Sequence, residues 1–297
     1  MNLDELNEEF GLEGEIGFYE EEDIVFAMVS NKYADATISL YGAQILNYNP
    51  VRSMEILWMS PESIFEKGKA IRGGIPVCFP WFGPHVSYES MPQHGFARIL
   101  DWEVSKTEML PNGESKIVLQ LCSSEETKKY WPYDFCADMI FTVGNKLSVT
   151  LKVTNTSNEP LDYTCALHSY FSLSAIQNIT IEGLENTLYK NQLDGGEYLQ
   201  ETELLEIAQA ETRHYYDTET TCVIDDPIYK RRIRIEKEGS KNTTVWNPWA
   251  EACLQMGDVP DDAYETFVCL ETVNKINNSI KLAPGENHET TAIIGIE

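Results

Sequence analysis

Residues 135–155 read FCADMIFTVGNKLSVTLKVTN, and this stretch indicates the class of fold. Two runs rich in β-branched and apolar residues flank the dipeptide Gly144-Asn145. Such a pattern is typical of a β-hairpin, because glycine and asparagine adopt the positive φ angles that tight hairpin turns need. We therefore predict two antiparallel strands that meet at residues 144–145.

Short β-type runs of the same kind recur along the rest of the chain. They are DIVFAMVS (23–30), ATISLYGAQILNY (36–48), SKIVLQLCS (115–123), PLDYTCALHSYFSL (160–173), RRIRIE (231–236), NTTVW (242–246), TFVCLETV (266–273) and TTAIIGI (290–296). Helical patterns are few: residues 2–9 form a short acidic helix or fray, and one or two turns fit 123–131, 249–258 and 261–267. The regular strand spacing favours an all-β sandwich over βαβ units.

No change in composition marks a domain boundary within the 297 residues. A chain of this length can bury a large core and needs no metal or disulfide to fold. We predict an acidic N-terminal extension at residues 1–17 and a single β-sandwich domain at residues 18–297.

The chain is strongly acidic, with 22 Lys and Arg against 48 Asp and Glu, which gives a formal net charge of −26. A field of this sign repels nucleic acids and anionic membranes, so we expect neither as a partner. An anionic small molecule would need its own local cluster of Arg or Lys. No run of about 18 apolar residues predicts a membrane span, and the N-terminus lacks a signal-peptide pattern. We therefore expect a cytoplasmic protein.

The seven cysteines are scattered singly, without a CxxC pair. We expect them to be reduced and mostly buried. The five histidines form no HxH or HExxH pattern, so we expect no metal site.

Two stretches carry the residue types of a polar binding site. The first, IRGGIPVCFPWFGPH (71–85), sets Arg72 beside two glycines and ahead of three prolines, and a rigid structural loop explains it about equally well. The second, QHGFAR (93–98), holds an amide, an imidazole and a guanidinium. On a strand, His94 and Arg98 would share one face. That face suits a polyol or its phosphate, and a surface salt-bridge cluster is the alternative.

Two single residues stand out within apolar runs. His168 ends the run at 160–173, where a lone histidine is more often a satisfied core residue than a catalyst. Glu271 interrupts a run that should be buried. Because a buried carboxylate needs hydrogen bonds or a charge partner, Glu271 favours function more than His168 does, and structural ion pairing is the alternative.

Taken together, six blocks resemble the hexose-6-phosphate mutarotase branch of the aldose 1-epimerase family, the glucose-6-phosphate 1-epimerase group. They are IRGGIPVCFPWFGPH (71–85), QHGFAR (93–98), LHSYF (167–171), LDG (193–195), VWNPW (245–249) and FVCLET (267–272). The resemblance runs in family order from about residue 18 to the C-terminus. It implies a galactose-mutarotase-like antiparallel β-sandwich and an isomerase that interconverts the α and β anomers of a hexose 6-phosphate. It also implies no metal or organic cofactor, and a small-molecule sugar phosphate as the partner of a monomer.

The resemblance implies roles at individual positions as well. His168 falls on the family's general acid and Glu271 on its general base, and one acid with one base suffices for mutarotation. In the same family the two arginines hold the phosphate, and the histidine of QHGFAR contacts the sugar. The positions that fall on substrate-binding residues or blocks are Arg72, Gln93, His94, Arg98 and Asp194.

One position departs from the family pattern. The family reads Glu-Thr-Asp-Arg-aliphatic-Tyr where this chain has ETRHYY (211–216), so Arg213 stands in place of a substrate-binding aspartate and His214 in place of the next arginine. Three interpretations are open: Arg213 adds a phosphate contact, Asp217 or Glu211 takes over in a shifted loop, or sugar binding is impaired. We include Arg213 among the candidate substrate-binding residues.

Two other functions stay open at this point. One is an aldose 1-epimerase for neutral sugars, against which Arg72 and Arg98 argue. The other is a non-catalytic sugar-binding relative, against which the joint presence of His168 and Glu271 argues. A large separation between these last two side chains would favour the non-catalytic protein.

Overall fold

The computed structural model describes residues 1–297, except for the side chain at position 276, and its described part contains 22 β-strands. The strands are β1 (Ile16–Glu21), β2 (Ile24–Ser30), β3 (Ala34–Ser39), β4 (Gln44–Pro50), β5 (Val77–Cys78), β6 (Glu103–Met109), β7 (Ser115–Cys122), β8 (Phe135–Val143), β9 (Leu147–Asn155), β10 (Leu161–Tyr163), β11 (Cys165–Leu167), β12 (Tyr170–Ser172), β13 (Thr180–Glu182), β14 (Leu188–Asn191), β15 (Glu197–Leu199), β16 (Glu211–Tyr216), β17 (Cys222–Asp226), β18 (Arg231–Glu238), β19 (Asn242–Asn247), β20 (Phe267–Asn274), β21 (Ile280–Leu282) and β22 (Asn287–Ile296). The helices are α1 (Leu3–Phe10) and α2 (Trp249–Cys253), and 3₁₀ turns span Ala97–Ile99, Thr127–Lys129, Ile176–Asn178, Ala263–Glu265 and Ile276–Asn278.

The strands form three antiparallel sheets and one small ribbon. Sheet I contains β1–β4 in sequence order, and β10 pairs with β21 in the ribbon. Sheet II has the order β15-β14-β16-β19-β20-β11-β5, with β12 also paired to β20. Sheet III has the order β13-β17-β18-β22-β9-β8-β7-β6. The prediction of an all-β, antiparallel fold with a few short helices is confirmed.

The hairpin predicted at residues 135–155 lies in sheet III as β8 and β9. Its pairing runs from Phe135 opposite Asn155 to Val143 opposite Leu147. Alternate residues of β8 are buried and their neighbours are partly exposed. This alternation is that of an antiparallel sheet with one face on a core and the other toward solvent.

The main core lies between sheets II and III. Val268 and Leu270 of sheet II belong to one contiguous cluster of buried apolar side chains with Met139 and Leu151 of sheet III. Because successive side chains of a strand point to opposite faces, Glu271 of β20 lies on the face of sheet II that is turned away from this core.

The outer face of sheet II is also covered where β20 begins. A second cluster of buried side chains there contains Trp58, Tyr170, Phe267 and Cys269. All eight residues of β20 are buried as a result. Covering on both faces explains why this run is apolar almost throughout and why Glu271 is its one charged residue.

The predicted acidic extension at residues 1–17 packs against the sandwich. Asn2 is the N-cap residue of helix α1, and it exchanges side chain–backbone hydrogen bonds with Glu5 in a capping box. Leu6 is buried in the main core, and the Asn7 side chain donates to a carbonyl of β1. This segment is therefore helical and does not form a unit of its own, since β1 also begins within it.

The short helices lie where the sequence predicts them. The stretch 123–131 contains a single 3₁₀ turn, 249–258 contains α2, and 261–267 contains another 3₁₀ turn. No helix in the described chain is both long and apolar enough to cross a lipid bilayer.

The expectation that all seven cysteines are reduced is wrong for one pair. Cys122 of β7 and Cys136 of β8 lie directly opposite each other and form a disulfide. Directly opposed residues of antiparallel strands come close enough for such a bond. The other five are free and buried, namely Cys78, Cys165, Cys222, Cys253 and Cys269.

Candidate active site

A gap between two short strands brings His168 to Glu271. Strands β11 and β12 pair with consecutive parts of β20. Residues 168–169, between these two strands, do not pair with β20, and they lie opposite residues 270–271. His168 Nε2 consequently lies 3.5 Å from Glu271 Oε1, close enough for both side chains to contact neighbouring atoms of one sugar ring.

Both side chains are buried, and each keeps an unpartnered polar atom. His168 is 8% exposed and Glu271 is 2% exposed. Among the residues that the structure describes, His168 Nδ1 and Glu271 Oε2 have no hydrogen-bond partner. Because buried polar atoms are nearly always hydrogen-bonded, these two atoms offer unused capacity for a polar ligand.

Glu271 belongs to a row of polar residues that crosses sheet II. It lies opposite Thr244 of β19, which lies opposite His214 of β16. Thr244 Oγ1 is 2.8 Å from His214 Nδ1, and Gln192 Oε1 is 2.7 Å from His214 Nε2. Directly opposed residues share one face of a sheet, so the row forms the floor of a cavity.

This cavity has a volume of about 320 Å³, which is suited to a small metabolite. The loops 71–85 and 93–98 contribute to its walls. Six of the predicted site residues line it: Arg72, Gln93, His94, Arg98, His168 and Glu271. A larger cleft of about 710 Å³ lies elsewhere and contains none of them.

Arg72 is held at the cavity by two partners. Its Nε donates to Asp258 Oδ2 at 3.0 Å and its Nη1 to the Tyr170 hydroxyl at 3.1 Å. Burial lowers the pKa of Arg72, but Tyr170 and Asp258 outweigh it and raise the pKa above its ordinary value. Gly74 follows closely with a positive φ angle, and a Cβ there would collide with the Ile45 carbonyl. The glycine therefore lets the Arg72 loop lie against sheet I.

The QHGFAR stretch is a loop ending in a 3₁₀ turn, so the facing that a strand would give His94 and Arg98 does not apply. Gly95 has a positive φ angle and packs so tightly on the Phe79 carbonyl that a Cβ would collide with it. This contact brings Gln93 and Arg98 together, and Arg98 Nη2 donates to the Gln93 carbonyl at 2.9 Å. Arg98 Nε has no hydrogen-bond partner in the described part of the chain.

His94 has a defined tautomer. The Gly83 N–H donates to its Nδ1 at 3.1 Å, so in the neutral ring the proton lies on Nε2. Burial and the charge of Arg98 lower the pKa of His94 to about 2, which keeps the ring neutral. His94 Nε2 is therefore a donor inside the cavity.

The environment opposes charge on both His168 and Glu271. Burial, Arg98 and Arg72 lower the pKa of His168 to about 3. Burial raises the pKa of the Glu271 carboxyl well above its usual range, although Lys275 and Arg98 act in the opposite sense. A proton shared by the pair thus lies on the carboxyl. Whichever partner holds that proton, the pair contains one acid and one base.

The cavity reverses the charge of the protein around it. Arg72, Arg98 and Lys275 line it together with a single carboxyl, that of Glu271. Within the described residues, Arg72 is the only one of these cations with an acidic partner, Asp258. A chain with a net charge of −26 therefore has the local cationic cluster that an anionic ligand requires.

Asp194 does not line the cavity. It lies in the turn between β14 and β15, where its carboxylate accepts from the Gly196 N–H at 2.7 Å and the Tyr198 hydroxyl at 2.9 Å. These bonds are those of an Asx-type turn. The structure accordingly gives Asp194 a contact with its own loop and none with the other predicted residues.

Arg213 does not line the cavity either. Its neighbours on β16, Thr212 and His214, face the cavity, so Arg213 faces the opposite side of the sheet. There it donates twice to Glu211, at 2.7 Å in each bond. The structure therefore does not give Arg213 a phosphate contact in this cavity.

Several cavity residues were missed by the sequence analysis. They are Gln192, Thr212, Thr244, Met256 and Lys275. Most of them come from strands or strand ends that meet only through the register of sheet II, which no local pattern reveals. The aromatic side chain of Trp246 also lines the cavity, while Phe79 and Trp81 of the 71–85 loop are in the main core.

Comparison with known proteins identifies the family. The family model described as "Aldose 1-epimerase" matches residues 25–295. The chain belongs to the aldose 1-epimerase family. A "Putative glucose-6-phosphate 1-epimerase" of Salmonella typhimurium is 36% identical over 85% of this chain and 84% of that protein. Proteins of the same name from Escherichia coli and Cenchrus ciliaris are 35% and 34% identical, each over 84% of this chain and over 83% and 78% of their own lengths.

Solved structures share the fold of this aldose 1-epimerase family member. A "putative mutarotase" from Salmonella typhimurium gives a TM-score of 0.90 at 31% identity and covers 97% of this chain and 95% of that one. A "galactose mutarotase related enzyme" from Lactobacillus acidophilus gives a TM-score of 0.75 at 18% identity, over 92% and 97% of the two chains. The predicted galactose-mutarotase-like sandwich is confirmed. The protein is an isomerase of this family, and its substrate is a small sugar.

Replacing Glu271 with Gln is expected to raise the free energy of unfolding by about 1–3 kcal/mol at neutral pH, because burial raises the pKa of the Glu271 carboxyl and wild type has to bind a proton on folding that the neutral amide does not need. The folded-state pKa of Glu271 lies above its unfolded value. Wild-type stability therefore falls as pH rises from the unfolded pKa through the folded one. Urea unfolding at pH 4, 6 and 8 should show a gap between Glu271→Gln and wild type that widens with pH.

The matched control is Glu265→Gln, at an exposed glutamate just before β20. It should leave the free energy of unfolding within about 0.5 kcal/mol of wild type. A Glu271→Gln variant that is less stable than wild type at pH 8 would contradict the argument.

Proposed function

We propose that the protein interconverts the α and β anomers of a hexose 6-phosphate, with glucose 6-phosphate as the substrate. The observation that carries this proposal is the pair of guanidinium groups, Arg72 and Arg98, beside His168 and Glu271. Arginine pairs with phosphate bidentately, and a neutral sugar would have no need of two such groups. The names of relatives at 34–36% identity support the same substrate.

The phosphate-binding and proton-transfer groups share one cavity. Arg72, Arg98, His168 and Glu271 all line it, and His168 and Glu271 are 3.5 Å apart. In a hexopyranose 6-phosphate, the ring oxygen O5 joins C5, which bears the phosphorylated C6, to C1, which bears O1. With the phosphate on the arginines, we assign O5, the nearer of the two reacting oxygens to the phosphate, to His168 and O1 to Glu271.

Ring opening then needs two proton transfers. The Glu271 carboxylate takes the proton from O1, and the O1–H electron pair forms the C1=O1 double bond. The C1–O5 bond breaks, and O5 takes the His168 proton to become the C5 hydroxyl. Rotation about C1–C2 presents the other aldehyde face, and the reverse transfers close the ring to the other anomer. The pair holds one proton throughout and alternates between its two forms.

Binding of the phosphate favours the protonated form of His168, which is the acid. A dianion bound to Arg72 and Arg98 offsets the positive field that lowers the pKa of His168, so the imidazolium becomes more favourable. The shared proton moves toward His168 as Glu271 becomes the base. A neutral sugar lacks this effect as well as the binding energy of the phosphate.

The remaining lining residues fit the sugar hydroxyls. His94 presents a donor at Nε2, fixed by the Gly83 bond to its other ring nitrogen. The Gln93 amide ends 3.2 Å from His94 Nε2, and because Nε2 carries the proton, the amide oxygen is the end that can accept from it while the amide nitrogen is left to donate. Both side chains can bind the polar edge of a hexose while its reacting end contacts His168 and Glu271.

Exchange NMR between the α and β anomers of glucose 6-phosphate, with glucose measured alongside, tests the proposal. We expect the protein to accelerate exchange of the phosphorylated sugar and to affect glucose far less. Equal or greater acceleration of glucose would favour an epimerase for neutral sugars. Binding without acceleration of either sugar would favour a non-catalytic relative. The cytoplasmic location, the monomeric state and the lack of a nucleic-acid partner stay predictions.

A further inference from the structure

Lys275 is a cation of the cavity to which the proposed reaction assigns no step. It directly follows β20, and its side chain lines the cavity. Lys275 Nζ lies 4.7 Å from the centre of the Phe82 ring, where the ammonium faces the ring in a cation–π contact. Phe82 thus holds the charge inside the cavity.

His214 does not serve as an acceptor for Lys275, although Nζ lies 3.5 Å from His214 Nε2. Gln192 Oε1 can only accept, and it lies 2.7 Å from His214 Nε2. The ring proton is therefore on Nε2, and Nδ1 accepts from the Thr244 hydroxyl at 2.8 Å. Within the described residues Lys275 also forms no ion pair with a carboxylate closer than 4.0 Å. The positive charge of Lys275 is therefore available to other groups in the cavity.

In the part of the chain that the structure describes, Glu271 lacks a hydrogen-bond donor, just as Lys275 lacks an acidic partner. Among the described residues, no donor lies within hydrogen-bond distance of Glu271 Oε2, and its other oxygen has the 3.5 Å contact with His168. The charged and titratable groups that act on it are His168, Arg98, Lys275, Tyr170, Cys78 and Cys269. The two arginines are engaged once a phosphate is bound. Lys275 is then the cation that remains for the carboxylate.

We propose that Lys275 is a positioning residue that keeps Glu271 in the carboxylate form while the substrate phosphate occupies Arg72 and Arg98. The inference rests on the proposed function, and it assigns separate roles to the three cations of the cavity. The arginines serve the phosphate and the acid, and the lysine serves the base. Glu271 also raises the pKa of Lys275, against the burial that lowers it, as expected for a mutual interaction.

The test is the pH dependence of kcat for glucose 6-phosphate in Lys275→Met and Lys275→Arg. Removing the positive charge raises the pKa of Glu271, so the acid limb of the Lys275→Met profile should move to higher pH by about one pH unit or more. Below the wild-type position of that limb, kcat should be about tenfold lower than in wild type for every pH unit that the limb has moved. Lys275→Arg keeps the charge and should keep the limb near its wild-type position.

Lys190→Met is the matched control. Lys190 is exposed and lies directly opposite His214 in the sheet, so it carries the same charge in the same row without lining the cavity. Its pH profile should equal that of wild type. A Lys275→Met enzyme with a raised KM but an unmoved acid limb would make Lys275 a simple binding residue and overturn the inference.

A second readout does not depend on turnover. A ¹³C NMR titration of the Glu271 carboxyl, with inorganic phosphate present, should give a higher pKa in Lys275→Met than in wild type. Lys275→Gln serves for this comparison if the methionine variant does not fold. An unchanged carboxyl titration overturns the inference even in an active enzyme, whereas a raised carboxyl pKa in a protein that accelerates neither sugar overturns the proposed function alone.

Discussion

Glu271→Gln is expected to reduce kcat for anomer exchange of glucose 6-phosphate by about 10²–10⁴-fold, with KM within about twofold of wild type. The amide has the size and shape of the carboxyl but cannot take the proton from O1. Exchange NMR at several substrate concentrations measures both constants. Because the same substitution is expected to stabilise the fold, a loss of activity here cannot come from unfolding.

His168→Asn is expected to cause a loss of the same order, since it removes the acid that protonates O5. The double variant should be no slower than the slower single variant, because the two residues share one proton and act together. Losses that add in the double variant would contradict a shared proton. Near-wild-type exchange in either single variant would remove that residue from the mechanism.

The class of fold could be predicted because its signal is local. Strand β8 alternates buried and half-exposed residues, and period two of this kind appears directly in the sequence of residues 135–143. Strand β20 is buried on both faces, and its nearly unbroken apolar run predicts that as well. The pairing of Cys122 with Cys136 could not be predicted in this way, since it depends on the register between β7 and β8.

In the candidate site, too, some residues could be identified from local sequence and others depend on strand register. Six of its residues were identified because they lie in blocks whose resemblance to the family is specific. Arg213 was expected among the substrate-binding residues but does not line the cavity, whereas its neighbours Thr212 and His214 do. Neighbouring residues of a strand face opposite sides of a sheet, and which side faces the cavity follows only from the pairing of β16 with β19. Asp194 lies in a short block that carries little information about facing.

Lys275 and Asp258 show what no strand pattern reveals. Asp258 belongs to a loop and reaches Arg72 from 186 positions away in the chain. Lys275 lies beyond the end of β20 and reaches the cavity through its long side chain and its contact with Phe82. Contacts of this kind arise from tertiary packing, so the charge balance of the cavity became visible only in the folded structure.

Arg98→Leu is expected to reduce kcat/KM for glucose 6-phosphate by about 10–100-fold, which corresponds to the loss of charge-assisted hydrogen bonds of about 1.5–3 kcal/mol. For glucose the change should stay within about twofold, because no phosphate is present to bind. Arg98 suits this test better than Arg72 does, since Asp258 would lose its partner if Arg72 were replaced. Arg98→Lys keeps the charge without the planar fork and should recover part of the loss.

The decisive quantity is the ratio of the two kcat/KM values, measured on one enzyme preparation with both sugars. A variant that is partly unfolded loses activity on both sugars in the same proportion, so the ratio is unaffected by folding. Only a group that binds the phosphate changes it. Equal losses on glucose and glucose 6-phosphate would therefore assign Arg98 to the architecture of the loop around Gly95 and leave the phosphate to Arg72 or Lys275.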